Sequence, residues 1–474
     1  MGQEIDSSEF TQADFDAFRE RLQRETQTLE GWGREGRLSH RGPVAGFEIE
    51  AWLIDGDGRP APRNDEFLAA SDDQLTSPEL ARFNVELNNR PQALSGRAFS
   101  LLEADIFQTW EHASETAEAI GTRLVMTGIL PTLEATDLSL RNMSDLNRYR
   151  ALNKQVFRLR EHRPLTLDIA GHEHLRSQHC DVMLESATTS FQLHLQTPIE
   201  RAARMYNTAI LVSAPMVAIA ANSPYLFGHE LWEETRIPLF EQAVEIGGYA
   251  GVTRGPLWRV SFGSGYVRQS ILECFRENLE HFPVLLPMAL GDGDTLPHLR
   301  LHNGTIWRWN RPLLGFDDDG TPHIRIEHRV MPAGPTVIDQ VANAAFFYGL
   351  TQRLAATDFS QAIPFSRARD NFYEAARRGL AATLRWTGDA RIGVRELILE
   401  TLLPAAREGL HELAIDPADI DRYLGIIRAR AETGQNGAEW HRRWVTVHGR
   451  DMARLTADYL RYQWRGMPVH EWDL

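Results

Sequence analysis

Residues 46–52, GFEIEAW, place two acidic side chains two positions apart in an otherwise apolar run, and this alternation constrains the fold more than any other feature. Successive side chains of a β-strand point to opposite faces, so Glu48 and Glu50 would share one face and the apolar residues between them the other. For one strand alone, the simplest interpretation is an antiparallel strand with one face in water. The rest of the sequence decides whether the two carboxylates have a function.

The same alternation recurs in RFNVELNN (82–89), TSFQLHLQ (189–196) and HIRIEHRV (323–330). Strands that only face water are usually protected by lysine, threonine and mixed charges, yet these polar positions contain no lysine. The charged and imidazole side chains that the four strands contribute are Glu48, Glu50, Glu86, Glu327, His194, Arg325 and Arg329. This set suits divalent cations and phosphate oxygens. We therefore predict that it converges on one concave sheet face, where Arg329 and Arg325 bind a phosphoryl group.

Net charge and cysteine content limit which binding partners and which cellular compartment are expected. The 474 residues carry a formal net charge of -15, which argues against nucleic-acid binding, so an anionic nucleotide would need metal ions or local arginines. Cys180 and Cys274 show neither CxxC nor zinc-finger spacing, which favours a reducing compartment. The acidic, polar N-terminus lacks a signal-peptide pattern. The expected location is cytoplasmic.

One stretch, residues 205–228, has the length of a membrane span and no charged side chain. Pro215 interrupts it, and Asn207, Ser213 and Asn222 dilute its apolar character. We predict a buried core helix that ends near Asn222, and no membrane association.

The remaining patterns indicate one large α+β domain. Strand-like stretches occur at 45–54, 82–89 and 123–131, and helical patterns cover 98–122, 143–159, 199–221, 266–281, 335–358 and 365–474. The DGDG sequence at 55–58 predicts a hairpin or a sharp reversal, and DDDG at 317–320 predicts a hairpin turn. We expect a helical N-terminal extension over 1–43, a domain carrying the site over 44–365, and a helical C-terminal region over 366–474 packed on that domain.

Six segments follow one another in a characteristic order between about residue 44 and residue 350. They are GFEIEAW (46–52), ILPTL (129–133), RYRALN (148–153), TTSFQLHL (188–195), ANSPYLFG (221–228) and IEHRVMPAGP (326–335). In this order they resemble the G-x-E-x-E, G-x-x-P, R-Y-x-x-M, T-x-x-Q-x-H/N, A-N-S-P-F-x-x-G and E-x-R motifs of glutamate-cysteine ligase family 2. ANSPYLFG is the most specific of them.

The resemblance implies a glutamine synthetase-like catalytic fold. This is an α+β fold with a curved, mainly antiparallel sheet, a concave active-site face, helices on the other face and a helical C-terminal third. In that fold residues 44–365 would be the catalytic ligase domain.

The resemblance also implies metal ligands and a catalytic pair. The residues that resemble the ligands of one ion are Glu50, Glu79 and Glu86, and those that resemble the ligands of a second, phosphate-bridging ion are Glu48, His194 and Glu327. Arg329 resembles the arginine that contacts the transferred phosphate, so Arg329 and Glu327 are the expected catalytic residues. The assignment of Glu79 as a ligand rests only on its position seven residues before Glu86, and Glu79 could instead be an ordinary helix or loop glutamate. His194 could instead be a satisfied polar core residue.

The implied activity is ATP-dependent ligation with two or three Mg²⁺ ions, or Mn²⁺ in their place. The side-chain carboxylate of L-glutamate would become an acyl phosphate, which the amine of L-cysteine attacks. The alternatives are the same chemistry with another amine acceptor, a divalent-metal hydrolase, and a non-catalytic metabolite-binding relative. The expected partners are small molecules, and the sequence predicts no oligomeric state.

Further residues are candidates for substrate or ATP binding. They are Arg325, Arg308, Arg311 and Gln192. Arg308 and Arg311 lie in LHNGTIWRWNRP (301–312), where arginines beside tryptophans could instead form surface stacking pairs. The GHEH sequence at 171–174 lacks the helical HExxH spacing, so its histidines are expected to be solvated loop residues.

Overall fold

The structure, a computed structural model, describes residues 5, 7–246, 258–291 and 293–474. It has the predicted α+β fold, in which an antiparallel sheet curls into a half-barrel. The strands are β1 (Val44–Ile54), β2 (Thr76–Pro78), β3 (Asn84–Asn88), β4 (Gln92–Ala93), β5 (Arg123–Val125), β6 (Leu165–Ala170), β7 (His174–His179), β8 (Ser190–Gln196), β9 (Tyr225–Leu226), β10 (His229–Glu230), β11 (Val260–Ser261), β12 (Trp307–Arg308), β13 (Asn310–Phe316), β14 (Pro322–Pro332), β15 (Thr383–Leu384) and β16 (Ile392–Gly393).

Helices cover the other side of the sheet and form most of the C-terminal region. The α-helices are α1 (Gln12–Arg34), α2 (Asn64–Ala70), α3 (Ala98–Ala119), α4 (Asn147–Leu159), α5 (Ile199–Ala220), α6 (Arg236–Ala243), α7 (Glu273–His281), α8 (Pro297–Gly304), α9 (Val337–Leu354), α10 (Phe365–Arg378), α11 (Val394–Leu397), α12 (Leu403–Glu412), α13 (Pro417–Thr433), α14 (Gly437–His448) and α15 (Met452–Arg465). A π-helix, Ile398–Leu402, joins α11 to α12, and a 3₁₀ helix, Val182–Ala187, precedes β8.

The main sheet has the strand order β13-β14-β8-β1-β3-β2, and β4 and β5 also pair with β1. Neighbouring strands are antiparallel, and the four strands with the alternating pattern are β1, β3, β8 and β14. The predicted DDDG hairpin joins β13 to β14, with the backbone N–H of Asp317 donating to Thr321 O at 2.9 Å. Four adjacent strands therefore present their polar faces together.

The apolar faces of these strands pack against α5 and α9. Phe47, Ile49, Leu193 and Ile326 are all buried there. Helix α5 is long and apolar enough to cross a membrane by composition, but 83% of its most apolar stretch is buried inside the protein. The predicted core helix is therefore present, and it ends at Ala220.

Two sequence-predicted elements lose a large part of their expected length. The strand predicted over 123–131 ends at Val125, because side chains of helix α15 form hydrogen bonds with the backbone of Met126. Oε1 of Gln463 accepts the N–H of Met126 at 3.1 Å, and the hydroxyl of Tyr459 donates to the carbonyl of Met126 at 2.9 Å. The helix predicted over 266–281 begins at Glu273, whose carboxylate accepts the backbone N–H groups of 268–270 and so holds them as a loop.

We propose that residues 366–474 belong to the same domain as the sheet and that residues 1–43 are an extension on its surface. Helix α10 packs against α5, and α12 and α13 pack against α9. Helix α1 packs against α7 and α8. These contacts support the proposal that both regions pack on a central domain formed by residues 44–365.

Candidate active site

Strand register brings the predicted polar side chains together. Glu50 lies opposite Glu86 between β1 and β3, and Glu327 lies opposite His194 between β14 and β8. Glu48 shares the face of Glu50, because the two residues are two positions apart on β1. The side chains form two clusters on one face of the sheet.

The first cluster consists of Glu50, Glu79 and Glu86, each of which offers an oxygen within 4.8 Å of the others. Burial raises the pKa of Glu50 and lifts the pKa of Glu79 well above its usual range, and the charge of Glu86 adds to both effects. Oε1 of Glu79 is buried and has no hydrogen-bond partner among the described residues. Ionised carboxylates at this distance repel one another, and a bound cation would relieve the repulsion.

Helix α4 fixes the loop that carries Glu79. Nη2 of Arg148 and the hydroxyl of Tyr149 each donate to the carbonyl of Pro78 at 3.2 Å. Both donors belong to the RYRALN segment. This segment therefore contributes to the site indirectly, by holding the backbone next to Glu79.

The second cluster consists of Glu48, His194 and Glu327, whose ligand atoms also lie within 4.8 Å of one another. Burial and the charge of Arg325 lower the pKa of His194 to about 3, so its imidazole is neutral and keeps a lone pair. Its Nε2 lies 3.3 Å from Oε1 of Glu48 but forms no hydrogen bond with any described residue. Burial and the charges of Glu86 and Glu327 raise the pKa of Glu48 to about 8.

Two arginines keep Glu327 ionised. Arg311 contacts it bidentately, from Nε to Oε2 at 2.7 Å and from Nη2 to Oε1 at 3.1 Å, and Nη1 of Arg329 donates to the same carboxylate. Burial alone would raise the pKa of Glu327, but the charges of Arg311 and Arg329 outweigh it and hold that pKa well below its usual range. Nη1 of Arg329 also donates to Gln192, which donates from Nε2 to Oε1 of Glu50 at 2.7 Å. Gln192 thereby links the two clusters.

The donor sets of both clusters fit a divalent cation. The first supplies carboxylate oxygens, and the second supplies two carboxylates and a neutral imidazole. A cation would provide the partner that Oε1 of Glu79 and Nε2 of His194 lack. It would also favour the ionised forms of Glu48 and Glu50, which burial disfavours. Mg²⁺ and Mn²⁺ both suit these ligands.

Arg325 lies near the second cluster and has unused donors. Its Nε is buried without a hydrogen-bond partner, and its guanidinium forms no ion pair with the described residues. Burial lowers the pKa of Arg325, while the nearby charges of Glu48 and Glu327 favour its charged form. A partly desolvated guanidinium beside a cation site suits phosphate oxygens.

The structure does not bring Arg308 to the clusters. Strand β12 pairs with β11, and pairing with β14 begins only at Asn310. The guanidinium of Arg308 contacts Oε2 of Glu277 at 2.7 Å and Oδ1 of Asn278 at 2.6 Å, and it lies over the ring of Phe282. A role for Arg308 in substrate binding stays a prediction.

A small cavity lies beside the first cluster. Its lining residues are Glu50, Glu79, Leu80, Asn84, Glu185, Ser186, Thr188, Thr189, Ser190, Arg236, Phe240, Trp307 and Arg329. Burial and the charge of Glu50 raise the pKa of Glu185 to about 8. Sequence reasoning missed Glu185, Arg236 and Phe240, which lie on a 3₁₀ helix and on α6, outside the alternating strands.

The ANSPYLFG loop positions Arg236 in this cavity. Glu234 accepts the backbone N–H of Asn222 at 2.9 Å, the hydroxyl of Ser223 at 2.7 Å and Nε of Arg236 at 3.2 Å. Nη2 of Arg236 donates to the backbone carbonyl of Arg329 at 3.1 Å. In the sequence, this arrangement is indicated only by the oppositely charged residues Glu234 and Arg236, which follow the loop by six and eight residues.

The histidines of the GHEH segment belong to neither cluster. The segment spans the turn between β6 and β7, and the side chains of His172 and His174 are 64% and 60% exposed. Nε2 of His174 contacts Asp168 at 2.8 Å. Both histidines are exposed to solvent, as predicted, but only His172 lies in the turn, because His174 is the first residue of β7.

Comparisons with known proteins agree with the fold. The model of glutamate-cysteine ligase family 2 (GCS2) matches residues 44–466. A glutamate–cysteine ligase from Francisella tularensis, solved in complex with AMP, shares the fold with a TM-score of 0.56 at 11% identity, over 92% of this chain and 90% of that one. A bifunctional glutathione synthetase from Pasteurella multocida has a TM-score of 0.53 at 10% identity, over 95% of this chain and 55% of that one. No curated protein sequence matches the chain.

Proposed function

The chain belongs to glutamate-cysteine ligase family 2, and from this premise we propose that it is a glutamate-cysteine ligase. Members of this family are ATP-dependent carboxylate-amine ligases that act on small molecules with divalent metal ions. The proposed donor is L-glutamate, the proposed acceptor is L-cysteine, and the product is γ-glutamylcysteine. The observation that supports the proposal best is the placement of two carboxylate-containing clusters on one sheet face, beside a cavity.

Each predicted site residue except Arg308 has a proposed role. The first cluster and the second cluster each hold one divalent ion, and Arg329 stabilises charge on the transferred phosphoryl group. Arg325 binds phosphate oxygens of ATP. Arg311 and Gln192, which sequence patterns assign to substrate or ATP binding, act by orienting Glu327 and Glu50, because their donors already engage these carboxylates.

In the proposed reaction the γ-phosphoryl group passes from ATP to the side-chain carboxylate of glutamate, and ADP leaves. The amine nitrogen of cysteine then attacks the carbonyl carbon, inorganic phosphate leaves, and the amine loses a proton. Bound divalent ions supply charge neutralisation at the phosphates. Phosphoryl transfer needs positioning and charge stabilisation rather than a protein nucleophile, which is the chemistry that the fixed carboxylates and Arg329 can provide.

An amine panel tests the proposal. The full chain is mixed with ATP, Mg²⁺ and L-glutamate, single amino acids are added, and ADP is followed with omission of glutamate as the control. We expect ADP release that requires both glutamate and cysteine. If ADP release requires an amine other than cysteine, the protein is still a ligase but the proposed acceptor is wrong. If the protein turns over a substrate with metal and without nucleotide, it is a hydrolase instead.

We also propose a cytoplasmic location and a role in glutathione biosynthesis. Both cysteines are free thiols, with Cys180 exposed and Cys274 buried, which suits a reducing compartment.

A further inference from the structure

The hairpin between β13 and β14 carries a carboxylate that the proposed chemistry does not use. Asp317 begins the turn, and its carboxylate accepts hydrogen bonds from Oγ of Ser39 at 2.8 Å and Nε2 of Gln196 at 2.9 Å. Nδ1 of His323 lies 2.9 Å from the same carboxylate, and Nη1 of Arg41 lies 3.1 Å from it. Asp317 therefore joins the segment before β1 to β8 and to β14.

Residues 39–41 hold this hairpin from outside the main sheet. The backbone N–H of Ser39 donates to the carbonyl of Pro322 at 2.8 Å, and Nη2 of Arg41 lies 2.5 Å from Oδ2 of Asp319. These residues precede residue 44, where the match to the family model begins. The N-terminal extension, rather than the region matched by the family model, makes these contacts.

His323 transmits the position of Asp317 along β14. Burial raises the pKa of Asp317, but hydrogen bonds from Ser39, Gln196 and His323 outweigh it and lower that pKa, so the carboxylate is ionised and can only accept. Burial and the charge of Arg325 lower the pKa of His323, so its ring is neutral. Nδ1 of His323 therefore carries the proton that Asp317 accepts, and Nε2 keeps a lone pair.

Arg325 and His323 share the space above Gly315. They lie two positions apart on the polar face of β14, and Gly315 lies directly opposite His323 on β13. A Cβ atom at position 315 would come within 3.0 Å of both Nε2 of His323 and Nη1 of Arg325. The lone pair of Nε2 is therefore beside the guanidinium of Arg325, whose Nε has no hydrogen-bond partner among the described residues.

We propose that His323, held by Asp317, positions the guanidinium of Arg325 for the phosphate groups of the nucleotide. The N-terminal extension completes the arrangement, because Ser39 and Arg41 hold Asp317. The inference rests on the proposed function, in which Arg325 binds phosphate oxygens of ATP. A guanidinium that is confined before binding loses less freedom when it contacts phosphate. Without the fixed imidazole it could turn toward the carboxylates of the second cluster, whose charges attract it.

A double-mutant cycle tests the inference without turnover. The full chain with Mg²⁺ is titrated calorimetrically with AMP-PNP, an ATP analogue that resists hydrolysis. The proteins are wild type, His323→Leu, Arg325→Gln and the double variant. His323→Leu should weaken AMP-PNP binding by about 2- to 10-fold, as the loss of one polar contact does. In the Arg325→Gln background the same substitution should change binding by less than about 2-fold, because His323 acts through Arg325.

His323→Gln is the conservative variant, because its amide oxygen can accept where Nε2 does. It should bind AMP-PNP within about 2-fold of wild type. In steady-state kinetics, His323→Leu should raise the KM for ATP while kcat changes by less than about 2-fold. A general loss of structure would lower kcat as well.

Arg41→Met tests the extension. It should weaken AMP-PNP binding by about 2- to 5-fold, and only while Arg325 is present. Arg59→Met is the matched control, because Arg59 is also partly exposed and contacts two acids, Glu134 at 3.0 Å and Asp137 at 3.8 Å, outside the hairpin. It should bind AMP-PNP as wild type does.

Three results would each overturn the inference: unchanged AMP-PNP binding in His323→Leu, an undiminished effect of that substitution in the Arg325→Gln background, or equal affinities of Arg41→Met and Arg59→Met. The absence of AMP-PNP binding by wild type would overturn it too. If His323 affects binding only while Arg325 is present, but ADP release requires neither glutamate nor cysteine, the inference stands and the proposed function is wrong.

Discussion

Glu50 and Glu86 face each other directly across β1 and β3, and both side chains are buried. Two carboxylates in a cross-strand pair repel each other, and burial increases the repulsion. Glu79 adds a third carboxylate to the same space. The fold therefore concentrates negative charge that only protons or a cation can neutralise.

The first prediction concerns metal-dependent stability. Mg²⁺ should raise the free energy of unfolding by about 2.7 kcal/mol at 100 times its dissociation constant, because it binds the folded chain only. Glu86→Gln should raise the metal-free melting temperature, by removing one charge, and should reduce the increase that Mg²⁺ causes. Thermal unfolding with EDTA and with Mg²⁺ measures both effects. An undiminished response to Mg²⁺ in Glu86→Gln would argue against an ion in the first cluster.

The second prediction concerns phosphoryl transfer. Arg329→Ala should lower kcat by about 10²–10³, the loss typical when one charge-stabilising donor is removed, with a smaller change in the KM for ATP. Steady-state kinetics of ADP release separate the two parameters. If kcat is unchanged and kcat/KM for ATP falls by about 10²–10³ instead, Arg329 contributes to ATP binding alone.

The third prediction contrasts two arginines of the same polar face. Arg325→Gln should leave the free energy of unfolding within about 0.5 kcal/mol of wild type, because no described residue pairs with it, and should raise the KM for ATP about 10-fold. Arg311→Met should cost about 3–5 kcal/mol, because it strips a bidentate partner from the buried Glu327. Urea unfolding and ATP titrations compare the variants. Similar free energies of unfolding for the two variants would contradict the assignment of Arg311 as the structural partner of Glu327 and of Arg325 as a ligand-binding residue.

The fourth prediction concerns pH and lies outside the site. Burial raises the pKa of Glu241 to about 7 from 4.5, although Trp309 and Tyr373 donate to its carboxylate. The folded chain thus holds this proton more strongly than the unfolded chain, so the stabilisation is fully present below pH 4.5 and is lost as the pH rises to about 7.

Glu241→Gln keeps an oxygen acceptor but cannot ionise. The free energy of unfolding of this variant, relative to wild type, should therefore rise by up to about 3 kcal/mol between pH 4.5 and neutrality. Denaturant titrations across that range measure the difference. Parallel pH profiles for the two proteins would contradict the raised pKa.

The alternating strands made much of the fold and both clusters predictable, because a period of two fixes which side chains share a face. Glu79 required the family resemblance, since it lies in a loop that α4 positions. Arg308 shows the limit of alternation, because strand pairing changes between β12 and β13 and takes it to another sheet. Glu185 and Arg236 were missed because they reach the cavity from helical elements, whose place depends on tertiary contacts.

Counting bound ions tests the central claim most directly. Calorimetric titration of the metal-free full chain with Mn²⁺ should give two ions per chain, one for each cluster. Glu86→Gln should lose the ion of the first cluster and Glu48→Gln that of the second. Glu103→Gln is the control and should keep both ions, because the carboxylate of Glu103 accepts from Tyr423 and Arg422 and belongs to neither cluster. If wild type binds no Mn²⁺, or if both cluster variants retain the full number of ions, the two carboxylate clusters are not metal sites and the proposed account of the active site is wrong.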